Sequence, residues 1–228
     1  MVIKAVLVDI EGTVSPISFV KEILFPYSKE KIEGYIKENI EKTEIQKIKK
    51  EIENIEGREL SVDEVVNILI KWIDEDRKIT PLKEIQGYIW EKGFKSGSLK
   101  APIYEDAYRK LKEWKNKNIK IFIYSSGSVK AQKLFFSYTQ YGNITDLFSG
   151  YFDTKIGNKK ESKSYIKIAE RIGLKPEEIL FISDNPDEIK AAAGAGLKVV
   201  KVSRKEDNPY IDNFPYRQVE NFDQISDL

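Results

Sequence analysis

Four short, largely apolar and β-branched runs, most of them ending in a hydroxyl or carboxylate residue, constrain this chain more than any other feature. They are Ala5 to Val8, Ile119 to Tyr124, Ile179 to Ile182 and Lys198 to Val202. Runs without polar alternation are what strands buried on both faces look like, and such strands belong to parallel sheets. Helical patterns separate the later runs: Ser128 to Tyr138, Glu161 to Ile172, and Asp187 to Ala195, the last stopped by Gly196. Strands alternating with helices imply right-handed crossovers and predict an α/β fold, a doubly wound, Rossmann-like parallel sheet.

Residues 15–98 have another texture, with long amphipathic patterns and almost no strand signal. Ser61 and Glu64 have the spacing of a capping box ahead of Val65, Val66, Ile68, Leu69 and Trp72. Thr80 and Pro81 open a further helix through Leu82, Ile85, Tyr88 and Ile89. The expected organisation is a core made of residues 1–14 and 99–228, with residues 15–98 inserted after the first strand as an all-helical cap. Phe19, Ile23, Leu24 and Phe25 read as apolar core of that insertion. Its position directly after the first strand suggests a lid. Beyond Arg204 no regular pattern is present.

Composition then narrows the chemistry. The 228 residues contain no histidine and no cysteine. That excludes an imidazole base, a thiolate nucleophile, a Ser-His-Asp triad, a disulfide and a Cys/His zinc centre. Any bound metal is left with oxygen ligands, as magnesium, manganese and calcium prefer. Proton transfer falls to Asp, Glu, Lys or Tyr. With 38 Lys+Arg against 37 Asp+Glu the net charge is +1, so no general attraction to nucleic acid or anionic membrane is expected. The N-terminal segment lacks a signal-peptide pattern and no run reaches membrane-spanning length, which suggests a cytoplasmic protein.

In an open α/β sheet, ligands bind beyond the carboxyl ends of the strands. The first run ends in Asp9-Ile10-Glu11-Gly12-Thr13. Two carboxylates so placed suit a nucleophile with an acid/base partner, or a metal site, although a strand can also end in ordinary turn residues. Ser125-Ser126-Gly127-Ser128 after the second run either cradles a phosphate at a helix N-terminus or simply caps that helix. After the third run comes Ser183-Asp184-Asn185-Pro186-Asp187-Glu188, in which Asp184 is a candidate metal ligand. Asn185 and Glu188 there resemble a cap pair, and Asp187 and Glu188 suit the helix N-terminus. One of Lys159, Lys160 and Lys163 could supply a cation to a phosphate site.

Asp after the first strand, Ser after the next, then Lys, then Asp after a further strand resembles the motif order of the haloacid dehalogenase superfamily, most of whose members are phosphatases. The strings DIEGT, PISFVKEILFPY, DRKITPLKEIQGYIW, YSSGSVKAQKL, GYFDTKIGNKKES and FISD are similar to those of its enolase-phosphatase E1 family, from about Val6 to Val202. The resemblance implies a monomeric methionine-salvage enzyme with one Mg2+ per subunit. Its substrate is a small phosphorylated molecule, 2,3-diketo-5-methylthiopentyl 1-phosphate, which is enolised and then dephosphorylated through an aspartyl-phosphate. Carried over residue by residue, Asp9 is nucleophile and metal ligand, and Glu11 is metal ligand and general acid/base. Ser125, Ser126 and Lys159 bind the substrate phosphate, and Asp184 completes the metal site. Asn158 stands where related sequences have histidine, and the NPDE string after Asp184 departs from the family pattern. A generic phosphatase of the superfamily, acting on phosphoglycolate or a sugar phosphate, is the alternative, and a non-catalytic binding protein a further one.

Overall fold

The structure, a computed structural model, describes residues 2–205 and 209–225. Six parallel strands form one sheet: β1 (Ala5–Val8), β2 (Lys120–Tyr124), β3 (Gly150–Phe152), β4 (Ile179–Ser183), β5 (Lys198–Val202) and β6 (Gln218–Val219), in the spatial order β3-β2-β1-β4-β5-β6. The doubly wound parallel sheet is therefore present. The chain runs outward from β1 to β3 and then returns to place β4 on the other side of β1. That reversal makes the carboxyl ends of β1 and β4 the switch point where such sheets bind ligands.

All four residues of β1 are fully buried, as its uninterrupted apolar run requires. Ala5 and Leu7 share one face with Phe122, Tyr124, Ile179 and Phe181, and this face packs against Tyr165, Ile168 and Ile189. Those residues lie on helices α7 (Ser162–Ile172) and α8 (Pro186–Gly194), while α5 (Glu105–Asn116) and α6 (Val129–Ser137) precede and follow β2. Each large aliphatic or aromatic side chain so enclosed contributes about 1.5–3 kcal/mol. β3 and β6 lack the apolar runs of the other strands. β3 is the half-buried Gly-Tyr-Phe at one side of the sheet, and β6 is only two residues long.

The chain divides into two compact units, residues 1–19 with 101–228 and residues 20–100. The second is entirely helical: α1 (Phe25–Asn39), α2 (Thr43–Glu56), α3 (Val62–Asp74) and α4 (Thr80–Lys95). Its core joins Ile32, Ile36, Ile48, Ile52, Leu69 and Trp72. The capping box forms as expected, with Ser61 Oγ accepting from Glu64 N at 3.2 Å and Glu64 Oε2 accepting from Ser61 N at 2.8 Å. Thr80 lies inside α4, whose N-cap is Ile79 without a side-chain bond. A π-helical turn, Phe19–Leu24, leads into α1. Two of the expected insertion core residues are placed differently. Phe19 packs edge-on against Phe135 of α6, 5.9 Å between ring centroids, and Ile23 is 48% exposed. The wider π turn changes the periodicity on which the α-helical reading of this segment depended. No helix among the described residues is long and apolar enough to cross a membrane.

Candidate active site

Asp9 follows β1 directly, and its amide extends the ladder by donating to Ile182 O at 3.0 Å. Asp9 is only 3% exposed. The next turn is tight: Thr13, Val14 and Ser15 all donate main-chain bonds to Ile10 O. Gly12 in this turn has φ 72°, and a Cβ there would run into Asp184 Oδ2. Glycine is needed on both counts, for the left-handed backbone and for the close approach of Asp184. The turn also brings Thr13 between two carboxylate residues. Its hydroxyl accepts from Asp184 N at 2.9 Å and lies 3.4 Å from Asp9 Oδ2, to which it donates.

Glu11 points from the same turn to the end of β2, where Ser125 Oγ donates to Oε2 at 3.2 Å. Burial, and then the neighbouring Asp9, raise the Glu11 carboxyl above the ordinary glutamate range, with Lys159 opposing. Ser125 Oγ also accepts from Gly127 N at 3.2 Å. Ser126 is half-buried on this turn, and Ser128 is the N-cap of α6, its hydroxyl accepting from Ala131 N at 3.2 Å. Of the two readings of the serine string, the helix cap is formed, and it is made by Ser128. The turn is pinned by Gln132, whose Nε2 donates to Gly127 O at 2.8 Å and to Phe152 O at 2.9 Å.

Of the three candidate lysines only Lys159 enters the site. It is 8% exposed, ion-pairs with Asp9 Oδ1, and donates to Glu188 Oε2 at 2.8 Å. Burial alone would lower its pKa, but Asp9 and Glu188 outweigh that and raise it, so Lys159 is a permanent cation. Three successive carbonyls hold its loop: Gly157 O accepts from Tyr124 Oη at 2.9 Å, Asn158 O from Ser164 Oγ at 2.7 Å, and Lys159 O from Tyr165 Oη at 2.6 Å. Lys160 is exposed and pairs with Asp187 at 3.1 Å, and Lys163 is exposed on α7.

Asn185 caps α8 as expected, its Oδ1 accepting from Asp187 N at 2.9 Å and Glu188 N at 3.4 Å. Glu188, expected to serve the helix terminus, instead turns into the site, where it accepts from Ser183 Oγ at 2.9 Å as well as from Lys159. Burial, followed by the Asp9 charge, pushes its carboxyl up to about 7. The signal available for Glu188 was its spacing of four from Asp184, one helical turn on.

Among the described residues no three His, Cys, Asp or Glu side chains are grouped to hold a metal ion. Of the expected set of Asp9, Glu11 and Asp184, the Glu11 carboxylate accepts a bond from Ser125 Oγ. Two carboxylate residues linked through Thr13 still suit Mg2+, which commonly binds one or two carboxylates and completes its shell with water and substrate phosphate.

The profile of the haloacid dehalogenase-like hydrolases matches residues 3–196. The chain is 74% identical to enolase-phosphatase E1 of Persephonella marina over 226 residues, covering 99% of this chain and all of that protein. It is 64% identical to the Aquifex aeolicus protein of the same name, over 91% and 93% of the two chains. The crystal structure of the UTR4 protein from Saccharomyces cerevisiae superposes with a TM-score of 0.82 at 37% identity, covering 97% of this chain and 99% of that one. The likeness to CbbY of Rhodobacter sphaeroides, crystallised with phosphate, is one of fold alone: TM-score 0.65 at 13% identity.

Proposed function

Since the chain belongs to the haloacid dehalogenase-like hydrolases, and within them to the enolase-phosphatase E1 family, we propose that this phosphatase makes an acireductone in methionine salvage. The substrate in this reading is 2,3-diketo-5-methylthiopentyl 1-phosphate, and the products are 1,2-dihydroxy-3-keto-5-methylthiopentene and phosphate. The observation that carries it is the meeting of Asp9, Glu11, Ser125, Lys159 and Asp184 at the carboxyl ends of β1, β2 and β4 and on the loop before α7.

Asp9 attacks phosphorus through a carboxylate oxygen, and the bond from phosphorus to the ester oxygen breaks. Glu11, whose raised pKa favours the protonated form, gives its proton to the leaving oxygen. A water then attacks the aspartyl-phosphate and loses its proton to Glu11, releasing phosphate and restoring Asp9. Lys159 and the hydroxyls of Ser125 and Ser126 hold the phosphate oxygens as charge moves across them. Asp9 and Asp184, with Glu11, would hold Mg2+, which would neutralise phosphate charge that otherwise repels the attacking carboxylate. The preceding enolisation takes a proton from the carbon bearing the phosphate ester and delivers one to the adjacent ketone oxygen. Glu11 is one candidate for the base, and residues of the helical insertion are others.

The balanced net charge supports a small-molecule substrate without nucleic-acid or membrane partners, and the family resemblance suggests a cytoplasmic monomer. The test is to supply the diketo phosphate with Mg2+ and follow enol absorbance and phosphate together. Enol absorbance rising ahead of phosphate is expected. Phosphate release from simple esters with no enol from the diketo compound would make the chain a generic phosphatase.

A further inference from the structure

We propose that Arg204 is a positioning residue for this site, holding the Gly12-Thr13-Val14 turn so that the Thr13 hydroxyl spans Asp9 and Asp184. The inference rests on the reading of Asp9 and Asp184 as nucleophile and cation-binding pair. Arg204 lies two residues past β5, just before the stretch where the sequence shows no pattern, and is only 8% exposed. Its guanidinium makes two directed bonds, Nη2 donating to Thr13 O at 3.0 Å and Nη1 pairing with Asp106 Oδ2 at 2.9 Å. It also lies 4.1 Å from the centroid of the Tyr104 ring and 5.6 Å from that of Phe222.

Each partner is itself fixed. Asp106 Oδ2 accepts from Phe222 N at 2.7 Å, and Tyr104 N donates to Val14 O at 2.9 Å. The carbonyls of Thr13 and Val14 are therefore both tied to the segment that opens α5, and one of the two ties is the guanidinium. Fixing the Thr13 carbonyl restricts rotation of the adjoining peptide. The Thr13 hydroxyl, which meets Asp184 N and Asp9 Oδ2, is restricted with it. Only arginine presents two donors in a rigid plane that can also stack on a ring. A lysine ammonium here can serve Thr13 O or Asp106 but cannot reproduce the fork.

Arg204→Lys tests the proposal, with three readouts in the full chain: Mg2+ affinity by calorimetry, hydrogen exchange of the amides at 183–185, and kcat and KM for p-nitrophenyl phosphate. With cooperative unfolding retained, we expect Mg2+ affinity and kcat each to fall about tenfold or more, the scale on which residues that orient metal ligands act. KM should stay within about twofold, since the phosphate-binding groups are untouched. Exchange at the Asp184 amide should accelerate, because its acceptor is the freed Thr13 hydroxyl. Unchanged Mg2+ affinity and unchanged exchange in folded Arg204→Lys would overturn the proposal and leave a structural strut. If Arg204→Lys does not fold, Asp106→Asn loosens the same guanidinium and is measured in the same three ways, with the same results supporting or overturning the proposal. If the parent enzyme binds no Mg2+ and Asp9→Asn is fully active, the reading of the site fails, while exchange at Asp184 still decides the role of Arg204.

Discussion

At the scale of single residues, the site is a set of buried charges that constrain one another. Asp9 and Glu188 share Lys159, so the cation cannot be lost without leaving two carboxylates in a poorly solvated space. Asp9→Asn keeps the shape but removes the attacking oxygen's charge. Phosphate release from p-nitrophenyl phosphate should fall by at least about 10³-fold, and a near-parental rate would rule out Asp9 as nucleophile. Glu188→Gln removes one of the two anions on Lys159. We expect on the order of a tenfold loss in kcat, as when a group that orients an active-site residue is replaced, with Ser183 still able to bond the amide. Asp9, Ser125 and Asp184 were legible in the sequence because strand ends mark where such groups collect, whereas Lys159 stood out from Lys160 and Lys163 only through the family resemblance. Glu188 was not, since a carboxylate in the first turn of a helix has a sufficient local role there. Arg204 was also hidden, because its partners Thr13 and Asp106 lie far from it in the chain and outside any motif.

The elements were legible in proportion to how completely their residues are buried. β1 and β4 are apolar on both faces, and their bounds follow the runs almost residue for residue. β3, half-buried and opening on Gly150, has no such run, and β6 is a two-residue strand after an irregular stretch, so only the register of β2 and β5 reveals them. In the helical unit, Glu53 near the end of α2 joins the helix to the following loop: Oε1 accepts from Leu60 N at 3.1 Å and pairs with Lys49. The Lys49 hydrogen bond, followed by that from Leu60 N, lowers its pKa. A carboxylate with a depressed folded-state pKa stabilises above its unfolded pKa of about 4.3 and loses that contribution as pH falls through the folded value. Glu53→Gln should therefore lower the urea midpoint at pH 7, and the difference from the parent should shrink toward pH 3. A constant difference across that range would show that the charge is not what matters.

For the whole molecule, the absence of histidine and cysteine has a direct reading. Every group drawn to the switch point of the sheet is a carboxylate, a hydroxyl, an amide or an ammonium, and with these a hard cation is the only metal that fits. Chelation with EDTA should abolish phosphatase activity, and Mg2+ should restore it while Zn2+ restores far less. Full activity after exhaustive chelation would remove the cation from the mechanism. The reversal of strand order after β3 places Asp9 beside Asp184, although 174 residues separate them in the chain. Composition and motif order told which chemistry was possible, whereas adjacency came from topology.

The loop that delivers Lys159 is gripped by its carbonyls, through two tyrosines and a serine borrowed from β2 and α7. A main-chain grip does not depend on which side chains the loop carries. Asn158, exposed and with its Oδ1 accepting from the amide of Lys160 at 3.0 Å, is thus an interchangeable position within a fixed frame. The loop carries an amide there, with no imidazole, and still delivers its ammonium to Asp9 and Glu188.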